Sequence, residues 1–348
     1  MKALSKEKLD SFRTLLNGAR NVAVVSHTHP DGDALGSATA MLHYLLSAYD
    51  VEAKVVLPSP FAEYLDFLDC PDVIIASSDI ARAESAISSA DLIICLDFNA
   101  FKRTDCLESM LCASSAQKVL IDHHLNPESE CFDIVFSETE VSSASELLYW
   151  ILMGLEGSED ASVLPAATAL SVLTGMTTDT NNFANSVFPT TLSMASSLLA
   201  SGVDRDAVLA NLYNRYRENR LRAMGHVLSE LMHISSDGVA YVVLRREDQI
   251  RFDLREGETE GFVNLPLGID RVLMSILLKE DDGHFRVSIR SMKGISANRL
   301  AQESFHGGGH VCAAGGKLFF PEDIPSPDAA VEYIETVTAR FMCENVPE

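Results

Sequence analysis

The sequence predicts an α/β protein: a mainly parallel, doubly wound sheet in the N-terminal part, a helical linker, and a smaller C-terminal α/β domain. Three features carry that expectation. Short Val- and Ile-rich runs alternate with helical patterns over the first half of the chain. The pattern then turns wholly helical from about residue 163 to 234, and strand signals return after it. A length of 348 residues suits about two domains.

In chain order, a charged N-terminal segment with helical spacing precedes a first apolar run at 22–25. Further runs follow at 53–57, 73–76, 92–96, 119–121 and 134–136. Most are too continuous for burial on one side only, which is how strands look when helices cover both faces of a parallel sheet. Helical stretches such as 34–48 and 145–155 complete the alternation of a doubly wound domain. Segment 204–234 is long, charged and amphipathic and reads as one connecting helix. Strands are expected again at 239–244 and 284–290. A helix at 296–304, a glycine-rich loop, a strand at 318–320 and a last helix at 328–342 follow. The expected domains are therefore 1–200 and 237–348, joined by a linker at 201–236.

Composition narrows the function classes. A hydrophobic fraction of 47% with 22% charged residues builds ordinary globular cores. No run approaches the roughly 18 apolar residues of a membrane span, and MKALSKEKLDSF lacks the apolar centre of a signal peptide. Seven cysteines without a CxxC pair read as reduced thiols in a cytoplasmic protein, not as a disulfide frame or a zinc site. A net charge of -23 argues against long duplex nucleic acid as a partner, because that binding rests on neutralising many phosphates. One stretch, 284–317, inverts the sign: Arg286, Arg290, Lys293, Arg299 and Lys317 stand against Glu303 alone. Local positive charge in an acidic protein suits a small anionic ligand.

Polar clusters follow apolar elements directly. VAVVSHTHPDGDALGS places His27, His29, Asp31 and Asp33 after the first strand, LIICLDFN places Asp97 after another, and VLIDHHLN places Asp122, His123 and His124 after a third. In an open parallel sheet the carboxyl ends of the strands face one crevice, so these residues would converge. LTGMTTDTNNF adds Asp179 at the end of an apolar helical pattern. Singly, each has an ordinary reading: an Asp at a strand end caps a turn, and His29 reads as a loop histidine. The four clusters together are another matter. Asp and His without sulfur suit Mn²⁺ or Mg²⁺, and a pair of such ions about 4 Å apart serves phosphoryl transfer. His27, Asp31, Asp33, Asp97, His123 and Asp179 supply the ligands such a pair needs, with one carboxylate bridging.

SHTHPDGDALGS, CLDFN, IDHH and TGMTTDT resemble the four motifs of the DHH phosphoesterase family. IRSMKGISANRLAQESFHGGGHVCAAGG resembles the associated DHHA1 domain, so the likeness spans about 22–316. Within the family the pattern is most similar to the NrnA-type branch of oligoribonucleases and 3′,5′-bisphosphate nucleotidases (pAp phosphatases). The resemblance implies a catalytic, metal-binding DHH domain and a substrate-binding DHHA1 domain. It implies a Mn²⁺ pair, with Mg²⁺ or another divalent ion as alternatives: His27 and Asp31 on one ion, Asp33, His123 and Asp179 on the other, and Asp97 between them. His124 would sit close by, orienting a ligand or the scissile phosphate, with Asp122 orienting a ligand histidine.

HGGGHVCAAGG is the expected substrate reader. Glycines let backbone approach a ligand, and successive N–H groups form an anion nest. Arg290 and His310 are the first candidates for a substrate phosphate, since arginine matches phosphate with a bidentate fork. Ser291 and the amides of Gly308 and Gly309 come second. Arg103, which resembles an arginine of relatives, is a looser candidate. His306 stands where relatives often carry a glycine. The expected substrates are short oligonucleotides (nanoRNA), bisphosphate nucleotides such as pAp, or both. The alternatives are a RecJ-like single-strand exonuclease, a cyclic or linear dinucleotide phosphodiesterase and, in a different class, a non-catalytic nucleotide sensor. A homodimer is left open.

Overall fold

The computed structural model describes residues 4–345. The chain divides after Arg215 into two compact units.

The first unit runs α1 (Lys6–Gly18), β1 (Asn21–Val25), α2 (Gly32–Ala48), β2 (Glu52–Leu57), β3 (Ile74–Ile75), α3 (Ile80–Ser89), β4 (Leu92–Leu96), α4 (Glu108–Ala113), β5 (Gln117–Asp122) and β6 (Ile134–Ser137). It closes with α5 (Ala144–Glu156), α6 (Ala166–Asp179), α7 (Pro189–Ala200) and α8 (Arg205–Tyr213). The six strands form one parallel sheet in the order β3-β2-β1-β4-β5-β6. All six expected runs are strands, and the physical reason for their continuity is burial on both faces. Val22, Val24, Ile94 and Ile121 pack into a core with α2, α5 and α6. The alternate residues Ala23, Val25, Ile93, Cys95 and Leu120 pack on the other side with Ala83 and Ile87 of α3 and Leu111 of α4. The strand order reverses between β1 and β4, which makes that gap the topological switch point where ligands bind in open α/β sheets.

The second unit holds α9 (Glu218–His226), β7 (Met232–Ile234), β8 (Val239–Leu244), α10 (Arg246–Arg251), β9 (Met274–Asp281), β10 (His284–Ser291), α11 (Ala297–Ser304), β11 (Gly308–Gly309), β12 (Ala313–Phe319) and α12 (Ala330–Asn345). Its mixed sheet is ordered β11-β12-β10-β9-β8-β7, with β8 and β9 parallel and the other pairs antiparallel. Phe285, Val287 and Ile289 of β10 pack against α11 and α12.

Besides β11 and β12, which form within the stretch read as a glycine-rich loop before a strand at 318–320, two elements differ from the sequence reading. The single helix expected over 204–234 is two helices, α8 and α9, followed by a wider turn at Val227–Leu231 and by β7. Each helix serves a different core: α8 buries Val208 and Leu212 in the first unit, and α9 buries Ala223 in the second. The break at 214–217 is held by side chains: Arg217 bonds Asp253 and Glu258, and Arg220 lies over the Tyr216 and Phe262 rings. The last residues, Met-His-Ile, alternate as a strand requires and pair with β8. Strand β9 is the second difference: its run MSILL, unassigned by the pattern, is a central strand between β8 and β10.

Among the described residues no helix is long and apolar enough to cross a membrane.

Candidate active site

The cluster is built at the switch point. Chain leaving β1 carries His27 and Asp31 into α2, and Asp31 is the N-cap of that helix. Its carboxylate accepts from the Asp33 and Ala34 amides, both at 3.0 Å. This is the ordinary use of an aspartate ahead of a helix, and it fixes the carboxylate beside His27. Asp33, in the first turn of α2, is buried. Its two oxygens accept from the amides of Ala144 (2.6 Å) and Ser145 (2.9 Å), the first residues of α5. A helix N-terminus thus holds the Asp33 carboxyl group through orphan N–H groups.

Asp97 follows β4 with φ 63°, and its amide donates to the Ile121 carbonyl (3.1 Å). A left-handed backbone at a non-glycine residue is uncommon and often marks a functional site. The residue is 2% exposed. Oδ2 lies 3.4 Å from His27 Nε2, and Oδ1 lies 3.4 Å from His123 Nε2. His123 Nε2 is also 3.6 Å from Asp179, the last residue of α6, and 3.8 Å from Asp33.

The hydrogen bonds at the back of the rings set which nitrogen faces in. His27 Nδ1 is 2.8 Å from the Thr28 carbonyl, which can only accept, so Nδ1 carries a proton and Nε2 is the nitrogen turned to Asp97. His124 donates from Nδ1 to Asp122 (2.7 Å), which leaves Nε2 to accept from Arg103 (3.0 Å). Asp122 is fully buried and also accepts from the His124 amide, so it holds His124 at two points.

The electrostatics of the cluster ask for a cation. Burial and the Asp97 and Asp179 charges push Asp33 well above the usual carboxylate range. Burial works against the Asp97 anion as well, but His123 and His27 outweigh it and hold that group well below the range. Burial opposes protonation of His123, yet Asp97, Asp179 and Asp33 raise it to about 10. His27 is raised too, with burial and Arg103 opposing and Asp97 and Asp31 prevailing. His124, depressed by burial and Arg103 against the pull of Asp122, stays a neutral imidazole. His123 holds a proton where Asp97 needs positive charge. In addition, Asp97 Oδ1 is buried without a hydrogen-bond partner among the described residues. Ligand atoms of His27, Asp31 and Asp97 lie within 4.8 Å of one another, as do those of Asp33, Asp97 and His123. Asp97 belongs to both groups. An all-oxygen-and-imidazole donor set with a shared carboxylate fits a pair of divalent ions.

Two close helix contacts hold the carboxylates in place. Helices α2 and α6 touch backbone to backbone: a Cβ on Gly36 would lie 2.9 Å from the Ser171 carbonyl, and one on Gly175 would lie 2.2 Å from Ser145 Oγ and 2.9 Å from Asp33 Oδ1. That crossing brings Asp33 of α2 toward Asp179 of α6. The Ser142–Glu146 segment and Gly175, which the sequence reading did not single out, are thus part of the site's frame. SASE at 143–146 was a legible capping signal, Ser-x-x-Glu ahead of an apolar run.

His29 lies exposed, its amide held by Ser59 Oγ (2.6 Å). In the second unit, Arg290 pairs in register with Ala313, and the His310 amide bonds the Ala313 carbonyl (2.7 Å). Gly308 and Gly309 form β11 against β12. These candidates therefore share one end of the sheet. Ser291 is placed with them, but its hydroxyl donates to the Ile295 carbonyl (2.6 Å) and its side chain is buried, so the turn itself uses that group. The positive stretch is partly neutralised: Arg286 pairs with Glu256 and Asp281, and Arg299 with Glu303 and Glu344. His306 leans on Phe319 and bonds Asp323 (2.9 Å).

A doubly wound sheet with this cluster at its switch point, followed by a glycine-edged mixed sheet, defines an α/β phosphoesterase. Residues 21–176 match the DHH family, N-terminal domain, and residues 221–335 match the DHHA1 domain. The chain belongs to the DHH family. It is 30% identical to the bifunctional oligoribonuclease and PAP phosphatase NrnA of Thermus thermophilus, over 85% of this chain and 84% of the relative. It is 28% identical to the probable bifunctional oligoribonuclease and PAP phosphatase NrnA of Streptococcus mutans, over 89% and 94%. Among solved structures, an exopolyphosphatase-related protein from Bacteroides fragilis superposes with TM-score 0.90 at 36% identity, covering 100% of both chains.

Proposed function

We propose that this protein is a two-metal hydrolase of short oligonucleotides and of 3′,5′-bisphosphate nucleotides such as pAp. The observation that carries the reading is Asp97, a buried carboxylate bracketed at 3.4 Å by His27 on one oxygen and His123 on the other. His27 and Asp31 would hold one ion, Asp33, His123 and Asp179 the second, and Asp97 both. Hard oxygen ligands with imidazole and no thiolate favour Mn²⁺, with Mg²⁺ next. Bound there, such ions supply Lewis-acid activation of water and of the phosphoryl group.

The chain's own residues do the rest. Thr28 orients His27. Asp122 sets the tautomer of His124, whose bare Nε2 anchors Arg103 and holds that fixed positive charge beside the cluster. Arg290, His310 and the Gly308 and Gly309 amides grip a terminal phosphate of the substrate. A protein of net charge -23, with Arg286 and Arg299 already paired, lacks the long basic track that an extended strand needs. The names of the two NrnA relatives support the same substrate class. We place the enzyme in the cytoplasm.

The test is turnover of pAp and of RNA two to five nucleotides long, with Mn²⁺ and with chelator, beside a twenty-nucleotide DNA strand. Mn²⁺-dependent loss of the short substrates is expected. Preferred degradation of the long strand would replace this reading with a RecJ-like exonuclease. No turnover of any would direct the assay to cyclic dinucleotides and then to a sensor role. Arg290→Ala should raise KM for both short substrates far more than it lowers kcat.

A further inference from the structure

Glu146 is a buried carboxylate outside the cluster that faces no arginine, lysine or histidine partner at ion-pair distance among the described residues. It is 0% exposed. Oε2 accepts from the Ser142 amide (2.9 Å), the Ser142 hydroxyl (2.6 Å) and the Thr191 hydroxyl (2.6 Å), and Oε1 lies 3.4 Å from the Trp150 indole nitrogen. A buried carboxyl group held by neutral donors is costly to leave unsatisfied, so each of its hydrogen bonds matters.

Its bonds lead in two directions. Through Ser142 it fixes the entry to α5, where the Ser143 hydroxyl takes the Glu146 amide (2.9 Å). The two amides between them, Ala144 and Ser145, are the ones that hold both oxygens of Asp33. Through Thr191, whose hydroxyl accepts from the Phe188 amide (3.1 Å), it pins the start of α7. That is the far end of the 180–188 loop, whose near end follows Asp179.

We propose that Glu146 is a positioning residue for the cluster, anchoring Asp33 directly behind its carboxylate and Asp179 through the loop that follows it. The role rests on the reading of the cluster as a divalent-ion site. It acts on the second ion's ligands, not on the bound substrate. Partners that orient metal ligands typically change affinity about 10–100-fold when lost.

The experiment is calorimetric titration of Mn²⁺ into the full chain, wild type beside Glu146→Gln, Thr191→Val and Thr191→Ser, with melting temperatures taken in chelator. Glu146→Gln keeps the shape and one acceptor oxygen. Mn²⁺ affinity should fall at least about tenfold in Glu146→Gln and Thr191→Val, and Thr191→Ser should restore it. kcat should recover at saturating Mn²⁺, since Glu146 touches no reacting group. Lowered melting temperatures with unchanged Mn²⁺ affinity would overturn the proposal in favour of a purely structural carboxylate. If the wild type itself takes up no divalent ion, the metal reading fails first, and this one with it.

Discussion

The contact between α2 and α6 offers the sharpest perturbation, because one added methyl reaches a proposed ligand. In Gly175→Ala the new Cβ would sit 2.2 Å from Ser145 Oγ, 3.0 Å from Ser145 Cβ and 2.9 Å from Asp33 Oδ1. Ordinary contact begins at 3.4 Å, so something must move by about 1.2 Å. The nearest atom, Ser145 Oγ, belongs to α5, so the clash falls on the start of α5 as well as on the α2–α6 crossing. Ser145 is fully buried, and its amide holds Asp33. The displacement therefore falls on Ser145 and Asp33 together. Overpacking of this kind costs about 1–3 kcal/mol, a drop of roughly 2–12 °C in melting temperature for a unit of this size. Misplacing a catalytic group by about 1 Å can cost on the order of a hundredfold in rate. The assay is kcat/KM for pAp against Mn²⁺ concentration, with thermal melts in chelator. A variant that melts lower but keeps wild-type Mn²⁺ dependence and turnover would refute the claim that this crossing positions Asp33.

Three further outcomes follow from the same geometry. Asp97→Ala removes the carboxylate shared by both ligand groups and should abolish turnover; near-normal activity would rule out a bridging role. Mn²⁺ uptake at pH 7 should release protons, because His123, raised to about 10, is protonated until an ion displaces it. Titration heats in two buffers of different ionisation enthalpy measure that release, and equal heats would contradict it. In chelator the sign is that of a raised histidine: its contribution to stability is whole below about pH 6.5 and is lost as pH rises through about 10. Lastly, neighbouring glycines should separate. A Cβ at Gly307 would lie 1.9 Å from the Gly315 carbonyl, whereas one at Gly308 meets nothing nearer than Asn298 Oδ1 at 3.5 Å. Gly307→Ala should lower the melting temperature, and Gly308→Ala should leave it and raise KM.

Much of this protein was legible as pattern. Most apolar runs of the first sheet could be read because strands covered on both faces leave few polar residues to interrupt them, Lys54 in β2 being one, and the polar clusters could be read because each sits directly at a strand or helix end. The family motifs sharpened both. The helix at 204–234 was misjudged because amphipathic spacing reports that a segment has a buried face but not which core buries it. With Val208 and Leu212 in one core and Ala223 in another, the helix breaks between them. The positive stretch was overcounted for a related reason: Glu256 and Asp281, outside it in sequence, neutralise Arg286 within it.

The sequence by itself determined the fold class, the alternation of elements, the family and the residue types that gather at the switch point. These depend on local periodicity and on short motifs, which survive without any knowledge of neighbours. Only the tertiary structure decided that Asp97 stands between His27 and His123, that Asp33 is held by the first amides of α5, that Glu146 braces that turn, and that Ser291 spends its hydroxyl on its own loop. Each of those is a distance between residues brought together by a helix crossing or by strand order. No one-dimensional pattern contains such a distance, because packing alone chooses which orphan amide meets which carboxylate.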